Sequence, residues 1–327
     1  MGFVSTFPDD ARWMGAALSL ADRGRGLTAP NPNVGCVIVN RGVVVGRGST
    51  QPGGRPHAEA VALGMAGEKS RGATCYVTLE PCAHASPRGP ACADLLLSSG
   101  VSRVVAAIRD PDPRTDGQGL ARLAASGIET RCGIREDDAR RVMAGWLTRR
   151  ARGRPYVTLK LALSLDGCLA MADGRSRWIT GPEARAHTHL ERSRHEMILV
   201  GGRTLAIDAP ALDVRLDGLA DRSPQRWVLT RDVAPPPDGW RAIRAADDIH
   251  TMAGDHLMVE GGAGAAAAFL GADLVDRLLL YRAPILIGGG LTLPDIGLGD
   301  LAKAHGRWRL CDARQLGVDR MEAYERA

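Results

Sequence analysis

Short apolar runs alternate with segments of helical periodicity along the first half of the chain. Apolar positions within residues 10–22 recur at the spacing of one helix face, which predicts a helix. Two β-branched runs, 34–39 and 43–45, flank Asn40-Arg41-Gly42 and predict a hairpin. Further helices are predicted over residues 57–66, 120–126 and 136–150, and another is predicted to begin near residue 91. Further strands are predicted over residues 73–79, 101–108 and 128–132. This alternation predicts a layered α/β sheet.

A second alternation follows an arginine-rich stretch, Arg149–Pro155. It predicts strands over residues 156–163, 197–200, 226–230, 256–260 and 277–283, and helices over residues 182–192 and 264–270. The chain therefore divides into two predicted α/β domains, residues 1–150 and residues 151–327, each of ordinary size. The arginines from Arg149 to Arg154 are interpreted as a solvated linker between the domains rather than as a binding patch.

Composition and charge argue against a nucleic-acid-binding protein. Apolar residues make up 45% of the 327 residues and aromatic residues only 4%, so aliphatic side chains must fill both predicted cores. The net charge of +5 (42 basic minus 37 acidic residues) is interspersed, without the basic stripe and interleaved aromatics of a nucleic-acid-binding surface. A mild positive charge favours an anionic small-molecule substrate.

Three features of the sequence favour a cytoplasmic location. No run approaches the ~20 apolar residues needed to cross a bilayer, and residues 1–10 lack the charged-then-apolar pattern of a signal peptide. The seven cysteines are an odd number spread without a tight framework, which favours reduced thiols over disulfides. We therefore expect a cytoplasmic protein with neither a membrane nor a nucleic acid as partner.

The strongest chemical signal is His57-Ala58-Glu59, followed by Pro81-Cys82 and then Cys92. One imidazole and two thiolates form a zinc-ligand set, and a site with three protein ligands keeps its fourth tetrahedral position open, which is typical of catalytic zinc. Glu59 lies two residues after His57 and is the candidate proton carrier rather than a ligand. The combination of His-x-Glu with Pro-Cys is typical of zinc-dependent nucleobase deaminases.

The predicted elements bring these residues together. His57 and Glu59 fall in the first turn of one predicted helix, and Cys82 and Cys92 fall around the start of the next, where a helix N-terminus favours the thiolate. A closed structural site would need a fourth ligand, and His84 is available for that role. It is interpreted instead as a substrate contact, because it lies only two residues from Cys82.

The segment between the two cysteines is longer than the Pro-Cys-x-x-Cys of deaminases that act on cytidine, guanine or tRNA adenosine. The position three residues after Cys82 is Ala85, and the second cysteine is Cys92. The longer loop brings His84 and Arg88 to the predicted mouth of the pocket. Because a guanidinium group suits phosphate recognition, Arg88 predicts a phosphorylated substrate.

Two sets of motifs, one in each half of the chain, support a more specific interpretation. In the first half they are Thr28–Val39 (TAPNPNVGCVIV), Pro56–Glu59 (PHAE), Tyr76–His84 (YVTLEPCAH) and Asp110–Pro113 (DPDP). In the second half they are Leu159–Gly167 (LKLALSLDG), Ser176–Thr180 (SRWIT) and Val259–Gly262 (VEGG). In residues, order and spacing, they resemble the bifunctional deaminase–reductase of riboflavin biosynthesis over nearly the whole chain.

The resemblance implies a cytidine-deaminase-like α/β/α layered N-terminal domain and a dihydrofolate-reductase-like α/β C-terminal domain. The first would perform zinc-dependent hydrolytic deamination of 2,5-diamino-6-(5-phosphoribosylamino)pyrimidin-4-one. The second would use NADPH to reduce 5-amino-6-(5-phosphoribosylamino)uracil to its ribitylamino form. The resemblance also implies a homo-oligomer, a dimer or a tetramer.

The resemblance assigns roles to individual residues. Zinc would be held by His57, Cys82 and Cys92, with Glu59 moving protons, and the deaminase substrate would be contacted by Asn31, alongside His84 and Arg88. The NADPH contacts fall on Ala162, Trp178, Thr204, Asp208, Gly262, Ala263, Gly264, Ala265, Ala266, Ala267 and Ala268. The contacts to the reductase substrate fall on Ser176, Arg192, Leu212, Arg215 and Glu260.

Without the resemblance, the residues of the second domain give weaker signals. Gly262-x-Gly264-x-x-Ala267 follows a predicted strand and opens a predicted helix, so it is either a phosphate cradle or a plain turn. It lacks the later acidic residue of a dinucleotide-binding fingerprint. Taken alone, Trp178 indicates a core residue, and Arg192 and Arg215 indicate surface charges.

The sequence departs from the family's usual pattern at several positions. Thr50 stands where a histidine is common, Ala209 replaces the second aspartate of Asp-Asp-Pro, and Thr230-Arg231 replace a frequent Asp-Ser. Arg231 becomes a candidate partner for the 2′-phosphate of NADPH. These departures leave open a diverged paralogue that acts on a related phosphorylated pyrimidine or pteridine. A zinc-stabilised scaffold without turnover is the third alternative, against which the intact Glu59 argues.

Overall fold

The structure, a computed structural model, describes residues 8–84, 87–231 and 235–327. It divides into two compact units between Leu147 and Thr148. None of the helices in the described ranges is both long enough and apolar enough to cross a bilayer. The expectation that residues 1–10 carry no signal pattern falls mostly outside the described residues.

The first unit is built on a five-stranded sheet. Its helices are α1 (Pro8–Arg23), α2 (Ala58–Ala66), α3 (Cys92–Ser99), α4 (Gln118–Ala125), α5 (Glu136–Val142) and α6 (Ala144–Arg152), the last of which runs past the division. Its strands are β1 (Gly35–Asn40), β2 (Val43–Ser49), β3 (Thr74–Leu79), β4 (Arg103–Ile108) and β5 (Glu129–Cys132). The strand order is β2-β1-β3-β4-β5. The hairpin β1–β2 and the pair β1–β3 are antiparallel, whereas β3, β4 and β5 are parallel, which confirms the predicted layered α/β sheet.

Helix α2 packs closely against β2 because both surfaces are made of small residues. Ala58 and Ala62, four residues apart, are fully buried on one face of the helix. A Cβ at Gly48 would lie 2.4 Å from the carbonyl oxygen of Ala58, so only glycine permits this approach. The close packing fixes the first turn of α2, which carries His57 and Glu59, against the sheet.

The second unit is built on an eight-stranded sheet. Its helices are α7 (Pro182–Arg192), α8 (Gly202–Asp208) and α9 (Ala263–Gly271). Its strands are β6 (Tyr156–Leu163), β7 (Met197–Gly201), β8 (Gln225–Leu229), β9 (Trp240–Ile243), β10 (His256–Glu260), β11 (Arg277–Arg282), β12 (Trp308–Leu316) and β13 (Asp319–Arg326). The order is β12-β13-β11-β6-β10-β7-β8-β9, in which the six strands from β11 to β9 are parallel. Since parallel strands end at the same edge of a sheet, ligand sites are expected outside that edge.

Several elements differ from those predicted by the sequence. The helix predicted over residues 136–150 is two helices, α5 and α6, which are separated at Met143. No prediction covered α8, β9 or the hairpin β12–β13. Strand β12 lies at the sheet edge and most of its residues are exposed, so it carries no apolar run that would mark it as a strand.

The interpretation of Arg149–Arg154 as a solvated linker is wrong. Helix α6 continues to Arg152, and the side chain of Arg154 is only 5% exposed. The Arg154 guanidinium pairs with the buried carboxylate of Asp276, with 2.6 Å between Nη1 and Oδ2. The reason is that a buried carboxylate needs a charged or hydrogen-bonding partner, and Asp276 lies too far along the chain for the local sequence to reveal it.

Candidate metal centre and candidate cofactor cavity

The three predicted metal ligands converge in the first unit. His57 is the N-cap residue of α2, Cys82 follows β3, and Cys92 is the first residue of α3. The Nδ1 atom of His57 lies 3.3 Å from Sγ of Cys92 and 3.8 Å from Sγ of Cys82. One ligand atom from each of the three residues lies within 4.8 Å of the others.

These distances fit a tetrahedral zinc ion. With Zn–S of about 2.3 Å and Zn–N of about 2.0 Å, tetrahedral angles separate the donor atoms by roughly 3.5–3.8 Å. The two distances from the His57 nitrogen, 3.3 and 3.8 Å, bracket that range. The donor set also suits zinc, because imidazole and thiolate are ligands that this ion prefers.

The surroundings of the two thiols favour one anionic sulfur, that of Cys82. The pKa of Cys82 is lowered, chiefly because the Cys92 thiol donates a hydrogen bond to its sulfur, and His57 and the Cys92 backbone N–H, 3.2 Å away, add to this effect. As the donor of that hydrogen bond, and because it is buried, Cys92 has a raised pKa. The pair therefore carries a negative charge on one sulfur atom, which favours the binding of a metal cation.

Glu59 lies beside the three ligands in the first turn of α2 and is only 4% exposed. Burial raises the pKa of its carboxyl to about 7, against the opposing influence of the His57 imidazole. A carboxyl group with a pKa near neutrality can both take up and release a proton. The structure thus places the predicted proton carrier next to the predicted metal ligands.

The predicted substrate contacts of the first unit lie around the same point. The Asn31 Nδ2 atom lies 3.0 Å from the Gly54 carbonyl oxygen and 3.0 Å from Nε2 of His57, on the side of the imidazole that faces away from the thiols. The Nδ1 atom of His84 lies 3.4 Å from the hydroxyl of Thr115. Asn31 and His84 are both partly exposed, as substrate contacts must be.

Arg88 is exposed and donates to the carbonyl oxygen of Gly53 at 2.8 Å. The neighbouring residues Ala85 and Ser86 of its loop lie outside the described residues. Arg55 reaches the same loop from the opposite side, because its Nη1 atom lies 3.0 Å from where a Cβ of Gly89 would be. Sequence reasoning missed Arg55, although its position two residues before His57 was a usable signal.

The Thr50 side chain is engaged within the hairpin β1–β2. Its residue is 4% exposed, and its hydroxyl accepts a hydrogen bond from the Val34 N–H at 3.0 Å. The hydroxyl therefore closes the open end of the hairpin β1–β2.

The second unit contains a large cavity at the carboxyl ends of its parallel strands, with a volume of about 1480 Å³. Most of the residues predicted to bind cofactor or reductase substrate line it, namely Ala162, Ser176, Trp178, Arg192, Thr204, Asp208, Leu212, Arg215, Glu260, Gly262, Ala263, Gly264, Ala265 and Ala268. The prediction that Ala266 and Ala267 contact the cofactor is not matched by the cavity, because neither residue lines it and Ala266 is fully buried where α9 packs into the hydrophobic core. Arg231 lines the cavity at the end of β8.

A buried ion-pair cluster forms one wall of this cavity. Arg192 donates to both carboxylate oxygens of Glu260 at 2.8 Å, and the Lys160 ammonium lies 3.6 Å from Oε1. Although burial raises the pKa of Glu260, the charges of Lys160 and Arg192 lower it to about 2. The interpretation of Arg192 as a surface charge is therefore wrong, since a carboxylate on a distant strand makes its burial possible. Lys160 was missed, although a lone lysine within the apolar strand Tyr156–Leu163 was a signal.

Trp178 is not a core residue, as its pattern alone suggested. It is 66% exposed and lies at the cavity, with the guanidinium carbons of Arg177 and Arg185 at 5.9 and 5.0 Å from its ring centre. Arg215 is exposed, as expected, and lies 3.3 Å from Asp213. The exposed indole provides a flat apolar surface for a planar ligand at this side of the cavity.

The glycine turn after β10 has the shape of a cradle. Gly262, the N-cap residue of α9, has a φ of 60°, and a Cβ there would lie 2.7 Å from the Thr204 hydroxyl. The backbone can therefore approach a ligand closely where the first N–H groups of α9 are free of helical partners. The cradle and the size of the cavity fit a dinucleotide such as NADPH together with a second small molecule.

Comparison with known proteins finds a different family in each half of the chain. Residues 8–108 match the family described as the cytidine and deoxycytidylate deaminase zinc-binding region, and residues 155–240 and 242–320 match the RibD C-terminal domain. The chain is 41% identical to the riboflavin biosynthesis protein RibD of Escherichia coli K12, over 95% of this chain and 97% of that protein. It is 36% identical to RibD of Aquifex aeolicus, over 90% and 92% of the two chains.

Solved structures show the same similarity. A structure of Acinetobacter baumannii RibD is 35% identical, with a TM-score of 0.88 over 98% of this chain and 99% of that one. A Thermotoga maritima structure described as a diaminohydroxyphosphoribosylaminopyrimidine deaminase/5-amino-6-(5-phosphoribosylamino)uracil reductase is 29% identical, with a TM-score of 0.88 over 97% and 99%. The fold classes expected for both halves are thereby confirmed.

Proposed function

Because this chain belongs to the RibD family of riboflavin biosynthesis proteins, we propose that it is a bifunctional enzyme with one activity in each unit. The first unit, within residues 1–150, hydrolytically deaminates 2,5-diamino-6-(5-phosphoribosylamino)pyrimidin-4-one. The second unit, within residues 151–327, reduces 5-amino-6-(5-phosphoribosylamino)uracil to its ribitylamino form with NADPH. The observation that carries the proposal is that one chain holds both the convergent His57, Cys82 and Cys92 donors and a separate cavity with a glycine cradle.

In the first unit, His57, Cys82 and Cys92 bind zinc, which supplies a Lewis acid that makes water nucleophilic at neutral pH. Glu59 takes one proton from the attacking water and delivers it to the pyrimidine ring, and it then takes a second proton from the added hydroxyl group and delivers it to the leaving amine. Its burial beside the ligands keeps these protons away from bulk water. Asn31 orients the pyrimidine from the far side of the His57 imidazole.

In the second unit, NADPH supplies the hydride. The turn at Gly262, the first N–H groups of α9 and Thr204 hold its phosphates, and Trp178, Asp208 and Ala162 line the rest of the path along the cavity. Ser176, Leu212 and Arg215 contact the substrate. Glu260 stays ionised between Arg192 and Lys160, and its carboxylate holds the Lys160 Nζ atom at the cavity wall.

Removal of zinc separates the two activities. After treatment of the full-length protein with a strong chelator, we expect ammonia release from the diaminopyrimidine substrate to stop and to return on addition of zinc. NADPH oxidation with the deaminated intermediate is expected to continue at the original rate, because its cavity contains none of the three ligands. Metal analysis of the untreated protein is expected to give one zinc per chain.

The outcome of that experiment also decides between this proposal and its alternatives. A protein that holds zinc and releases no ammonia from the riboflavin intermediate would favour the diverged paralogue. A zinc protein without turnover on any pyrimidine, together with a silent reductase, would favour the scaffold. Identities of 36–41% to curated RibD proteins over at least 90% of the chain support the bifunctional enzyme.

Arg88 and Arg55 are proposed to bind the 5′-phosphate of the deaminase substrate. Both guanidinium groups lie where the 52–56 and 87–91 segments face each other. A hydrogen bond to a charged group contributes about 1.5–3 kcal/mol, so we expect Arg88→Ala and Arg55→Ala each to lower kcat/KM for deamination by roughly 10–100-fold. Arg71→Ala, at an exposed arginine that pairs with Glu68, is the matched control.

The dephosphorylated form of the substrate identifies the contact. If the two arginines bind the phosphate, parent and variants should deaminate the dephosphorylated compound at the same low rate. An equal loss of rate with both forms of the substrate would show that the arginines act on the loop rather than on the phosphate.

The partners and location follow from the same assignment. We infer that the substrates are phosphorylated pyrimidines, that no nucleic acid is bound, and that the chain forms a homo-oligomer, a dimer or a tetramer. The exposed edge strand β12, with Leu310 50% exposed, supports assembly through the second unit. A cytoplasmic location is supported by the odd number of cysteines, which are spread along the sequence without a tight framework.

A further inference from the structure

The buried carboxylate of Glu80 lies directly before Pro81 and Cys82 and takes no part in the chemistry described above. The residue is only 2% exposed. Its backbone continues the pairing of β3 with β4, because its N–H donates to the carbonyl oxygen of Ile108 at 2.9 Å. A buried carboxylate costs free energy unless it is paired or hydrogen-bonded, so its partners indicate what the residue does.

The partners of Glu80 are backbone N–H groups of the segment 110–120, which leads into α4. Its Oε2 atom accepts hydrogen bonds from Asp110 at 3.2 Å and Gly117 at 2.9 Å, and Oε1 accepts one from Leu120 at 3.1 Å. Gly117 is the N-cap residue of α4 and Leu120 is the third residue of the helix. Glu80 therefore caps α4 from a distant part of the chain, and its charge interacts favourably with the helix dipole.

The same helix presses on the next residue of the chain. At Gly119, a Cβ would lie 1.9 Å from the carbonyl oxygen of Pro81, so α4 and the Pro81 backbone are in direct contact. Cys82 is held on its other side by α3, where the Cys92 N–H donates to Sγ of Cys82 and the Ala93 N–H donates to its carbonyl oxygen, both at 3.2 Å. Cys82 thus lies between two helix N-termini.

We propose that Glu80 is a positioning residue of the zinc site: it holds the N-terminus of α4 against Pro81 and thereby fixes the position of the Cys82 sulfur. The inference rests on the zinc site proposed above. The three hydrogen bonds are directional, so the carboxylate sets the position of the turn and not only its stability. The position of Cys82 matters because the donor distances already match those of a tetrahedral ion closely.

The Glu80→Gln variant of the full-length protein tests this role. The glutamine amide keeps the volume of the carboxylate, but its NH2 group is a hydrogen-bond donor. That group therefore cannot accept the hydrogen bonds that the backbone N–H groups donate to the Glu80 carboxylate. In competition with a chelator, we expect zinc affinity roughly 10–100-fold weaker than in the parent, as is typical when a residue that orients metal ligands is changed. The d–d absorption of the cobalt(II)-loaded variant is expected to shift, because it reports the geometry of the thiolate ligands.

Two controls accompany the variant. Glu68→Gln makes the same chemical change at a glutamate whose side chain is 86% exposed, and it is expected to leave zinc affinity and the cobalt spectrum unchanged. Far-UV circular dichroism reports whether the first unit of the variant is folded. NADPH oxidation is expected at the parental rate, because Glu80 is not among the residues that line the cavity of the second unit.

Gly119→Ala disturbs the same contact without altering Glu80, and it is expected to cause a similar loss of zinc affinity. The double variant should lose less than the product of the two single effects, because both changes act on one contact. If the parent binds zinc and both single variants bind it as tightly, with a parental cobalt spectrum, Glu80 has no positioning role and the zinc site stands. A parent that binds no zinc would overturn both proposals.

Discussion

Glu59→Gln is expected to lower the rate of deamination by about 10²–10⁴-fold, the range for loss of a general acid–base group. Glutamine matches the volume of glutamate and keeps one acceptor oxygen, but it cannot take up and release a proton near neutral pH. Glu59 is buried in the first turn of α2 beside His57, Cys82 and Cys92, and it is not part of the group of possible metal ligands found among the described residues. The measurement is ammonia release at saturating substrate.

The Glu59→Gln variant is expected to lose proton transfer while its zinc binding and its reductase activity stay unchanged. Zinc content and chelator resistance are expected to equal those of the parent, since Glu59 is not a ligand, and NADPH oxidation with the deaminated intermediate should not change. Glu129→Gln, which removes a partly exposed charge on β5, is the matched control in the same unit. A Glu59→Gln protein that holds one zinc and deaminates at the parental rate would show that the proton carrier is another group.

The two sites differ in how much of them the local sequence could reveal. His57, Glu59, Cys82 and Cys92 occupy two short motifs and the next helix start, and each falls at a helix start or strand end that the hydrophobic pattern predicts. The metal centre can therefore be predicted from residue spacing and predicted elements alone. Its supporting contacts are not, because Glu80 meets Gly117 and Leu120 only after β3, β4 and α4 are assembled.

The second site depends on long-range pairing from the outset. Arg192 and Glu260 are 68 residues apart in sequence, and neither carries a local sign of the other. The isolated interpretation of Arg192 failed for the same reason as that of Arg154: a buried carboxylate elsewhere in the chain makes burial of an arginine possible. The isolated interpretation of Trp178 erred in the opposite way: it predicted a core residue, whereas the side chain is exposed. A ligand-binding surface can leave a large apolar residue exposed in this way.

Glycines help to position the functional groups of both sites. The sequence shows how many glycines there are, but not which of them permit a close backbone contact or a positive φ. Gly48 allows α2 to approach β2, and Gly119 allows α4 to approach Pro81. Gly262 instead supplies a positive φ at the entrance to α9. In each case the missing side chain brings a helix start or a backbone turn close to its neighbour, so the positions of the functional groups depend on backbone contacts as much as on side-chain identity.

Glu260→Ala is expected to have the largest effect on the second unit, on stability and on reduction together. The change leaves Arg192 and Lys160, whose side chains are 10% and 15% exposed, without their shared carboxylate. Breaking a buried ion pair by removing one partner costs about 3–5 kcal/mol, and we expect the free energy of unfolding of this unit to fall by that amount in denaturant titrations. NADPH oxidation should be lost, while ammonia release by the first unit persists.

Partner variants separate the effect on stability from the effect on reduction. Glu183→Ala, at an exposed glutamate in the first turn of α7, should change neither quantity by a comparable amount. In Arg192→Ala/Glu260→Ala, removal of both partners should be less destabilising than the sum of the single changes, because the uncompensated charge of Arg192 is gone. Reduction should nevertheless stay absent in the double variant, since the group that holds Lys160 at the cavity wall is still missing. Recovery of reduction along with stability would mean that Glu260 serves the fold alone.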